Sequence, residues 1–280
     1  MLYERSVKIE NMEKIIGRYV MGTELVEKRN LLNEIHINNM TVQELRFFSI
    51  YLSKINARDI STRVVRFPLS DFKKIMELGK MNIVQLKTTA DKLLCKIIQV
   101  RNNSGGYDNF QLFKECHIFK DEMDAWYIEI DAHDDALPLI FDYEREYFTY
   151  QLWNILRLRS TNQFRLYEIL KQYEKIRKRI ISVEELKHLI GITPDQYPRW
   201  SNFKLWVLDK CQRALEDFTD IKFTYEPYEK SKTGKIISLK FYISPNYSNA
   251  TNLSVDDFTM LHDFEFSVLK SEMTDQMTFV

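Results

Sequence analysis

Residues 181–218 read ISVEELKHLIGITPDQYPRWSNFKLWVLDKCQRALEDF and carry the strongest structural signal in the chain. Ser182 and Glu185 have the S-x-x-E spacing of a capping box, which predicts the start of a helix. Gly191 is the expected end, because glycine readily adopts the left-handed conformation that terminates helices. A proline-containing turn follows, and residues 201–218 keep the apolar spacing of a second helix. The stretch therefore predicts a helix-turn-helix unit.

The segments on either side extend this unit. A long helix is predicted over residues 149–171 and a short strand at 180–181. Beyond the second helix, strands at 221–226 and 236–243 flank a lysine-rich hairpin tip. The order of helix, strand, helix, turn, helix and hairpin is typical of a winged helix-turn-helix domain.

The first half of the chain repeats this order. Thr41 and Glu44 form another capping box, followed by an apolar stripe at helical spacing. After a strand at 64–67, one helix is predicted over 70–79 and a second over 82–95. Further strands are predicted over 96–101, 110–119 and 125–131. The repeat predicts an α+β chain with two tandem winged helix-turn-helix domains.

Composition indicates an ordinary globular protein. The chain has 280 residues, of which 45% are hydrophobic and 29% charged, so it can bury two small cores. No apolar run approaches the roughly 20 residues of a membrane span, and the charged N-terminus does not resemble a signal peptide. Cys95, Cys116 and Cys211 are scattered and odd in number, which favours reduced thiols over disulfides. We therefore expect a cytoplasmic protein without a membrane partner.

The charges are unevenly distributed although 40 basic and 40 acidic residues cancel. The net charge is +7 over residues 157–213 and +6 over 57–105. It is −9 over 121–150 and −5 over 251–280. Because binding depends on the local field, two basic zones separated by an acidic connector suggest two DNA-facing modules. The alternative is that these blocks are only solvated faces.

The predicted helix at 201–218 has the properties of a helix that enters the DNA major groove. On a helical wheel its buried face contains Phe203, Val207, Cys211, Ala214 and Phe218. The expected DNA-binding residues on this helix and just before it are Arg199, Trp200, Ser201, Asn202, Lys204, Trp206, Lys210 and Arg213. Arginine and asparagine can donate to guanine and adenine edges, and lysine can contact phosphates. The alternative is a solvated helix whose tryptophans pack on a neighbour.

Two further segments are candidates for DNA contact. The first is the helix over 82–95, whose expected contact residues are Lys80, Asn82, Gln85, Thr88 and Lys92. The second is the hairpin tip, where Lys230, Lys232 and Lys235 would lie against phosphates as a wing. Each has a plain alternative, since exposed polar faces and lysine-rich turns also serve solubility.

Motifs for catalysis or cofactor binding are absent from the sequence. Neither G-x-x-x-x-G-K-[ST] nor G-x-G-x-x-G occurs, and no histidine pair has metal-ligand spacing. The cluster His133, Asp134 and Asp135 supports a nickase or nuclease hypothesis only weakly, because no second histidine lies nearby. We expect no enzyme activity, no catalytic residue, no bound metal and no cofactor.

Several motifs in a fixed order carry a resemblance to a known family. They are VEKRNLLN at 26–33, LPLI at 137–140, FRLYEILKQY at 164–173, ISVEEL at 181–186, LIG at 189–191, YPRWSNFK at 197–204 and VLD at 207–209. On these residues the chain resembles the Rep superfamily of initiator proteins from iteron-containing, theta-replicating plasmids. The resemblance covers residues 26–244, which is most of the chain.

The resemblance implies a function and partners. Members fold as two winged-helix domains, bind repeated origin sites as monomers and place their recognition helices in successive major grooves. Dimers, in equilibrium with monomers, bind an inverted operator and repress their own gene. The implied partners are double-stranded origin DNA, a host replication initiator, the replicative helicase and chaperones. A transcriptional repressor with the same fold but no origin role remains the alternative.

By the same resemblance, residues 199–204 fall on the DNA-reading segment, although Lys204-Leu205-Trp206 departs from the arginines often found in relatives. The expected organisation is a flexible arm at 1–24, an N-terminal winged-helix domain at 25–145 for dimerisation and DNA contact, a C-terminal winged-helix domain at 146–246 for the main DNA recognition, and an acidic tail at 247–280.

Overall fold

The computed structural model describes residues 25–34, 40–68, 83–101, 104–193 and 195–250. The helix predicted over 70–79 lies outside these residues, as do the predicted arm and residues 251–280 of the predicted tail. In chain order the first half contains β1 (Leu25–Arg29), α1 (Asn30–Glu34), α2 (Val42–Lys54), β2 (Val64–Pro68), α3 (Ile83–Leu94), β3 (Ile97–Arg101), β4 (Tyr107–Gln111), β5 (Phe113–Lys120), β6 (Trp126–Ala132) and α4 (Leu137–Ile140).

The second half contains a long helix and a hairpin near its end, followed by one short helix. It contains β7 (Tyr147–Gln151), α5 (Trp153–Leu156), α6 (Thr161–Lys171), β8 (Lys178–Ser182), α7 (Val183–Leu189), α8 (Trp200–Phe203), α9 (Asp209–Phe218), β9 (Ile221–Lys230), β10 (Ile236–Pro245) and α10 (Tyr247–Ala250). The π-helical segment Lys204–Leu208 joins α8 to α9. One continuous helix therefore spans residues 200–218, and we call it the recognition helix.

Both predicted capping boxes lie at helix starts. The Thr41 side chain accepts a hydrogen bond from the Glu44 backbone N–H, and the Glu44 carboxylate accepts one from the Thr41 N–H at 2.7 Å. The Ser182 hydroxyl accepts from the Glu185 N–H at 3.0 Å at the start of α7. Gly191 follows that helix with a φ of +80°, the left-handed conformation expected of a helix end. The Thr41 and Ser182 side chains thus satisfy N–H groups that have no partner within the helix.

Strands β2 to β6 form two separate antiparallel sheets. Strands β2, β6 and β5 form one sheet in that order, while β3 and β4 form a two-stranded hairpin directly after α3. The single strand predicted over 110–119 is therefore wrong, because the chain changes sheets at Leu112. The Leu112 side chain is fully buried and its carbonyl accepts from the His133 N–H at 2.9 Å, which turns the chain between β4 and β5.

The predicted acidic connector is also wrong as a structural unit. Within residues 121–150, residues 147–150 belong to β7, and residues 126–132 form β6, the central strand between β2 and β5. Asp131 on this strand accepts a hydrogen bond from the Arg63 side chain at 2.6 Å. This carboxylate therefore holds two segments of the first half together and is not part of a solvated connector.

The second half has the sheet order β8–β10–β9, with all neighbours antiparallel. Its apolar face contains Ile181, Phe223, Leu239, Phe241 and Ile243, all of them buried. Helices α6, α7 and the recognition helix contribute buried residues to the same core. Helix, strand, two helices and hairpin follow one another as the sequence predicts.

The long helix predicted over 149–171 is wrong at its start. Residues 147–151 form β7, which pairs with β1 in antiparallel register, with Val26 opposite Tyr150. Phe148 and Tyr150 point into the core while Tyr147 is exposed, so the segment alternates as a strand does. Helix α6 begins only after Ser160, whose hydroxyl accepts from the Gln163 N–H.

A buried ionic cluster joins β1 to α6. The Lys28 ammonium lies 2.8 Å from the Glu168 carboxylate, and neither side chain is exposed by more than 1%. Arg165 and Tyr150 also donate to this carboxylate, at 3.0 and 2.9 Å. Together with the β1–β7 pairing, the cluster connects β1 to the second half.

No helix among the described residues has the length and apolar character to cross a bilayer.

Candidate nucleic-acid interface

The recognition helix packs on the core through a wider face than the sequence predicts. Phe203, Val207, Cys211 and Ala214 are buried as the helical wheel predicts. Leu208 and Leu215 are buried as well, and Phe218 is 36% exposed, so its predicted burial is wrong. In the π turn the Asp209 N–H donates to the Lys204 carbonyl five residues back, yet Cys211 and Ala214 beyond it stay buried, so the predicted stripe is widened and not displaced. Phe218 is the last residue of the helix, where the covered face ends.

The opposite face carries most of the predicted DNA-binding residues of this half. The exposed ones are Arg199, Ser201, Asn202, Lys204, Trp206, Lys210 and Arg213. Trp200 differs, because it is only partly exposed and its ring packs on Phe203 with the centroids 6.1 Å apart. Cationic and amide side chains thus lie along one accessible helix face, which sterically permits contact with a duplex groove.

Asp209 lies within this basic face and binds one of its lysines. The Lys204 ammonium is 2.9 Å from the Asp209 carboxylate, which also accepts from the Tyr225 hydroxyl at 2.6 Å. Burial alone would raise the pKa of Asp209, but the Tyr225 hydrogen bond and the Lys204 charge hold it below its ordinary value. The carboxylate therefore stays charged near neutral pH and neutralises part of the positive field.

The lysine-rich hairpin tip has an ordered turn. Gly234 adopts a φ of +82°, and its N–H donates to the Ser231 carbonyl at 2.9 Å. All three predicted wing residues, Lys230, Lys232 and Lys235, are exposed. The turn holds three ammonium groups at the end of the β9–β10 hairpin.

An open groove of about 1130 Å³ is lined both by this tip and by the start of the recognition helix. It is lined by Lys235 and Gly234 from the tip, by Trp200 and Pro198 from the helix start, and by residues of α7. Among those α7 residues are two carboxylates, Glu184 and Glu185. The wing and the recognition helix thus flank one continuous concave surface.

Lys187 is a residue of this groove that the sequence reasoning missed. Its ammonium donates to the carbonyl oxygens of Gln196 and Tyr197, both at 2.9 Å, and lies 5.2 Å from the centre of the Phe203 ring. Burial first, and the charge of Lys235 second, lower the pKa of Lys187. No sequence pattern links a lysine to carbonyls nine and ten residues away, so only the folded turn reveals this contact.

The N-terminal candidates are only partly covered by the described residues. Thr88 and Lys92 are exposed on α3, and Gln85 lies in the same helix. Lys80 and Asn82 lie outside the described residues. The β3–β4 hairpin follows α3 as a wing would, with Gly105 at a φ of +84° in its turn.

The acidic cluster considered for metal binding has other contacts. The His133 ring accepts from the Asp135 N–H at 3.2 Å, and the Asp134 carboxylate pairs with Arg63. Within the part of the chain that the structure describes, no group of three or more His, Cys, Asp or Glu side chains is placed to hold a metal ion.

The fold and the basic helix face define a protein with two winged-helix domains, and comparison with protein families agrees. Residues 25–171 match the family described as "Initiator Replication protein, WH1", and residues 182–243 match "Initiator Rep protein, WH2". The chain belongs to this family of Rep-type initiators of plasmid replication. The resemblance drawn from the sequence motifs is thereby confirmed, as are the α+β class and the tandem winged-helix arrangement.

Solved structures support the same fold. One, described as "Crystal structure of Pi initiator protein in complex with iteron DNA", has a TM-score of 0.67 and 22% sequence identity. The match covers 80% of this chain and 98% of that one. A search of curated proteins gave no match to the chain.

Proposed function

We propose that this initiator binds repeated double-stranded DNA sites, or iterons, at a plasmid origin, with the recognition helix in the major groove. The single observation that carries the proposal is the exposed basic face of that helix beside a lysine-bearing wing. The Pi initiator, which shares the fold, is described in complex with iteron DNA. A winged-helix unit docks in this way because a helix fits the wide groove of B-DNA.

The proposed contacts divide by chemistry. Arg199, Asn202 and Arg213 are the candidates for base edges, since guanidinium and amide groups can form bidentate hydrogen bonds with guanine or adenine. Phosphate contacts are assigned to lysines and to groups at the helix start: Lys204, Lys210, Lys230, Lys232, Lys235, Ser201 and Trp200. Phosphate contacts position the protein and make its affinity depend on salt.

The N-terminal half supplies a second module in this proposal. Its contacts would come from α3 and the residues before it: Lys80, Asn82, Gln85, Thr88 and Lys92. Two modules about one helical turn apart would grip one face of a repeat of roughly 20 base pairs. The proposed domains are residues 25–145 and 146–246, between an arm at 1–24 and an acidic tail at 247–280, and β1 reaches across their boundary to pair with β7.

The remaining parts of the proposal concern partners and regulation. A monomer–dimer equilibrium, repression of its own gene, and contacts with a host initiator, the replicative helicase and chaperones follow from the family resemblance. We further propose a cytoplasmic protein that strains origin DNA by binding without catalysing a reaction. A purified protein that nicks supercoiled origin plasmid in Mg²⁺ would contradict the non-enzymatic part.

The test is binding to the DNA that flanks the gene. We expect direct repeats there, protection of each repeat in footprints, and loss of replication when the repeats are deleted. Arg199→Ala should weaken repeat binding more than binding to unrelated duplex, while Lys222→Ala, an exposed lysine on β9, serves as the matched control. A lone inverted repeat, with replication unaffected by its deletion, would favour the repressor instead.

A further inference from the structure

Two large apolar side chains are exposed side by side on the recognition helix. Leu205 is 49% exposed and Trp206 is 51% exposed. They lie in the π-helical segment, between the exposed Asn202 and the exposed Lys210. Isolated exposed apolar residues are common on protein surfaces, but two adjacent ones within the proposed DNA-binding face indicate an apolar contact with a partner.

The local geometry makes these two residues point outward together. The next two residues, Val207 and Leu208, are both fully buried and anchor the segment to the core. Because successive residues of a helix are about 100° apart, the pair two positions further on lies on the opposite side, so burial of Val207 and Leu208 leaves Leu205 and Trp206 facing outward. The apolar pair is therefore held at the surface by the packing of its neighbours.

Trp206 also has a restrained orientation. The Lys210 ammonium lies 4.3 Å from the centre of the indole ring, within the range of a cation–π contact. The two residues are four positions apart on one helix face, where side chains meet. An indole ordered before binding loses little conformational entropy on contact, which favours a specific role.

The major groove offers one apolar group to such a surface, the C5 methyl of thymine. Asn202 lies four residues before Trp206 on the same exposed face, and its amide suits the N6 and N7 atoms of adenine. The first turns of the helix thus combine an adenine-binding group with a methyl-binding one. The Asn202 amide and the Trp206 ring would therefore both favour A·T pairs over G·C pairs.

We infer that Trp206 and Leu205 read thymine methyl groups in the bound DNA, which adds them to Arg199, Asn202 and Arg213 as specificity-determining residues. The inference rests on the proposed function, because it requires that the recognition helix enters a major groove. It names the chemistry of the target: duplex sites with thymine at the positions opposite the π-helical segment.

The experiment compares thymine with uracil, which differ only by that methyl group. A binding site is first selected from a random duplex pool with the full-length protein. Each thymine of the selected site is then replaced by deoxyuridine, and affinity is measured for wild type, Trp206→Ala and Leu205→Ala. Circular dichroism checks that each variant is folded, which half-exposed positions should permit.

We expect deoxyuridine at the contacted position to weaken wild-type binding about fourfold, the effect of one buried methyl group. The same replacement should leave the affinity of Trp206→Ala or Leu205→Ala unchanged at the thymine that each residue reads. Asn202→Ala should keep the wild-type sensitivity to deoxyuridine, and all variants should keep the wild-type salt slope.

Three outcomes would overturn the inference. Wild type could bind thymine and uracil sites equally, Trp206→Ala could retain the full thymine preference, or Trp206→Ala could abolish self-association with DNA reading intact, which would make the patch a contact between copies. Each leaves the proposed function standing, because a specific site was still selected. Failure to select any duplex site would instead contradict the proposed function itself.

Discussion

The Lys187 ammonium donates a hydrogen bond to the Tyr197 carbonyl oxygen at 2.9 Å, across the turn that leads into the recognition helix. Tyr197 has a φ of +51°, a conformation that a non-glycine residue adopts at some cost in energy. The lysine also binds the Gln196 carbonyl, so one cation fixes two consecutive peptide groups. The direction of the recognition helix relative to the groove thus depends on a side chain of the preceding helix.

Replacing Lys187 should therefore affect specific binding more than stability. We expect Lys187→Met to lower the free energy of unfolding by about 1–2 kcal/mol, since it removes two charge-assisted hydrogen bonds that are partly exposed. Specific affinity should fall several-fold further than nonspecific affinity, because a looser turn misplaces Arg199 and Asn202. Competition binding and urea denaturation measure the two effects.

The matched control is Lys178→Met, which removes an exposed lysine from β8 in the same half. Equal losses of specific and nonspecific binding in Lys187→Met would mean that the residue contributes only its charge. In that case it would not be a positioning residue.

Asp209 should limit the affinity of the helix face for phosphates. In Asp209→Asn the Lys204 ammonium loses its ion pair, and one negative charge leaves the face. We expect nonspecific duplex binding to tighten about two- to fivefold at low salt, since an exposed charge contact contributes about 0.5–1 kcal/mol. Tyr225→Phe removes a hydrogen bond to Asp209 without changing the charge, so it is the control. Gel-shift titration against unrelated DNA would show whether the carboxylate is instead neutral to binding.

The element order was accessible from sequence because it depends on local chemistry. The capping residues Thr41 and Ser182 bind backbone groups three residues away, and Gly191 ends its helix through its own backbone conformation. The errors occur where contacts between residues distant in sequence determine the local structure. Residues 147–151 form a strand because β1 lies beside them, and the chain turns at Leu112 because that side chain is drawn into the core.

The candidate interface was accessible to a similar degree. Periodicity identifies the outward face of the recognition helix, and a lysine-rich turn identifies the wing. The wheel failed at Phe218, because it extends the apolar stripe to the last residue of the helix, where the covered face has already ended. Contacts with backbone carbonyls, such as those of Lys187, leave no trace in spacing.

Removing one partner of the buried Lys28–Glu168 pair should be strongly destabilising. We expect Glu168→Gln to lower the free energy of unfolding by about 3–5 kcal/mol, because it leaves buried cations without their carboxylate. Lys28→Met should be less damaging, since Arg165 still pairs with Glu168. The double variant Lys28→Met with Glu168→Gln should recover part of the loss, which chemical denaturation measures.

The same pair predicts a pH dependence. Burial raises the pKa of Glu168, but Lys28 and Arg165 outweigh it, and the pKa lies below its ordinary value of 4.5. A carboxyl group with a lowered pKa in the folded state contributes stability that is present above pH 4.5 and lost as the pH falls below it. Lys28 has a pKa of about 8, so its ammonium is charged throughout this range. Between pH 3 and pH 7, the free energy of unfolding should change less with pH for Glu168→Gln than for wild type, as chemical denaturation at each pH would show.

The wing lysines should determine part of the salt dependence of binding. Each phosphate contact contributes about −0.9 to the slope of log affinity against log salt concentration. If Lys232 and Lys235 both contact phosphates, their replacement by alanine should reduce the magnitude of the slope by roughly 2 while leaving the preferred DNA sequence unchanged. Lys222→Ala, an exposed lysine on β9 outside the hairpin tip, should keep the wild-type slope. An unchanged slope in the double variant would remove the hairpin tip from the interface and leave the recognition helix to bind without a wing.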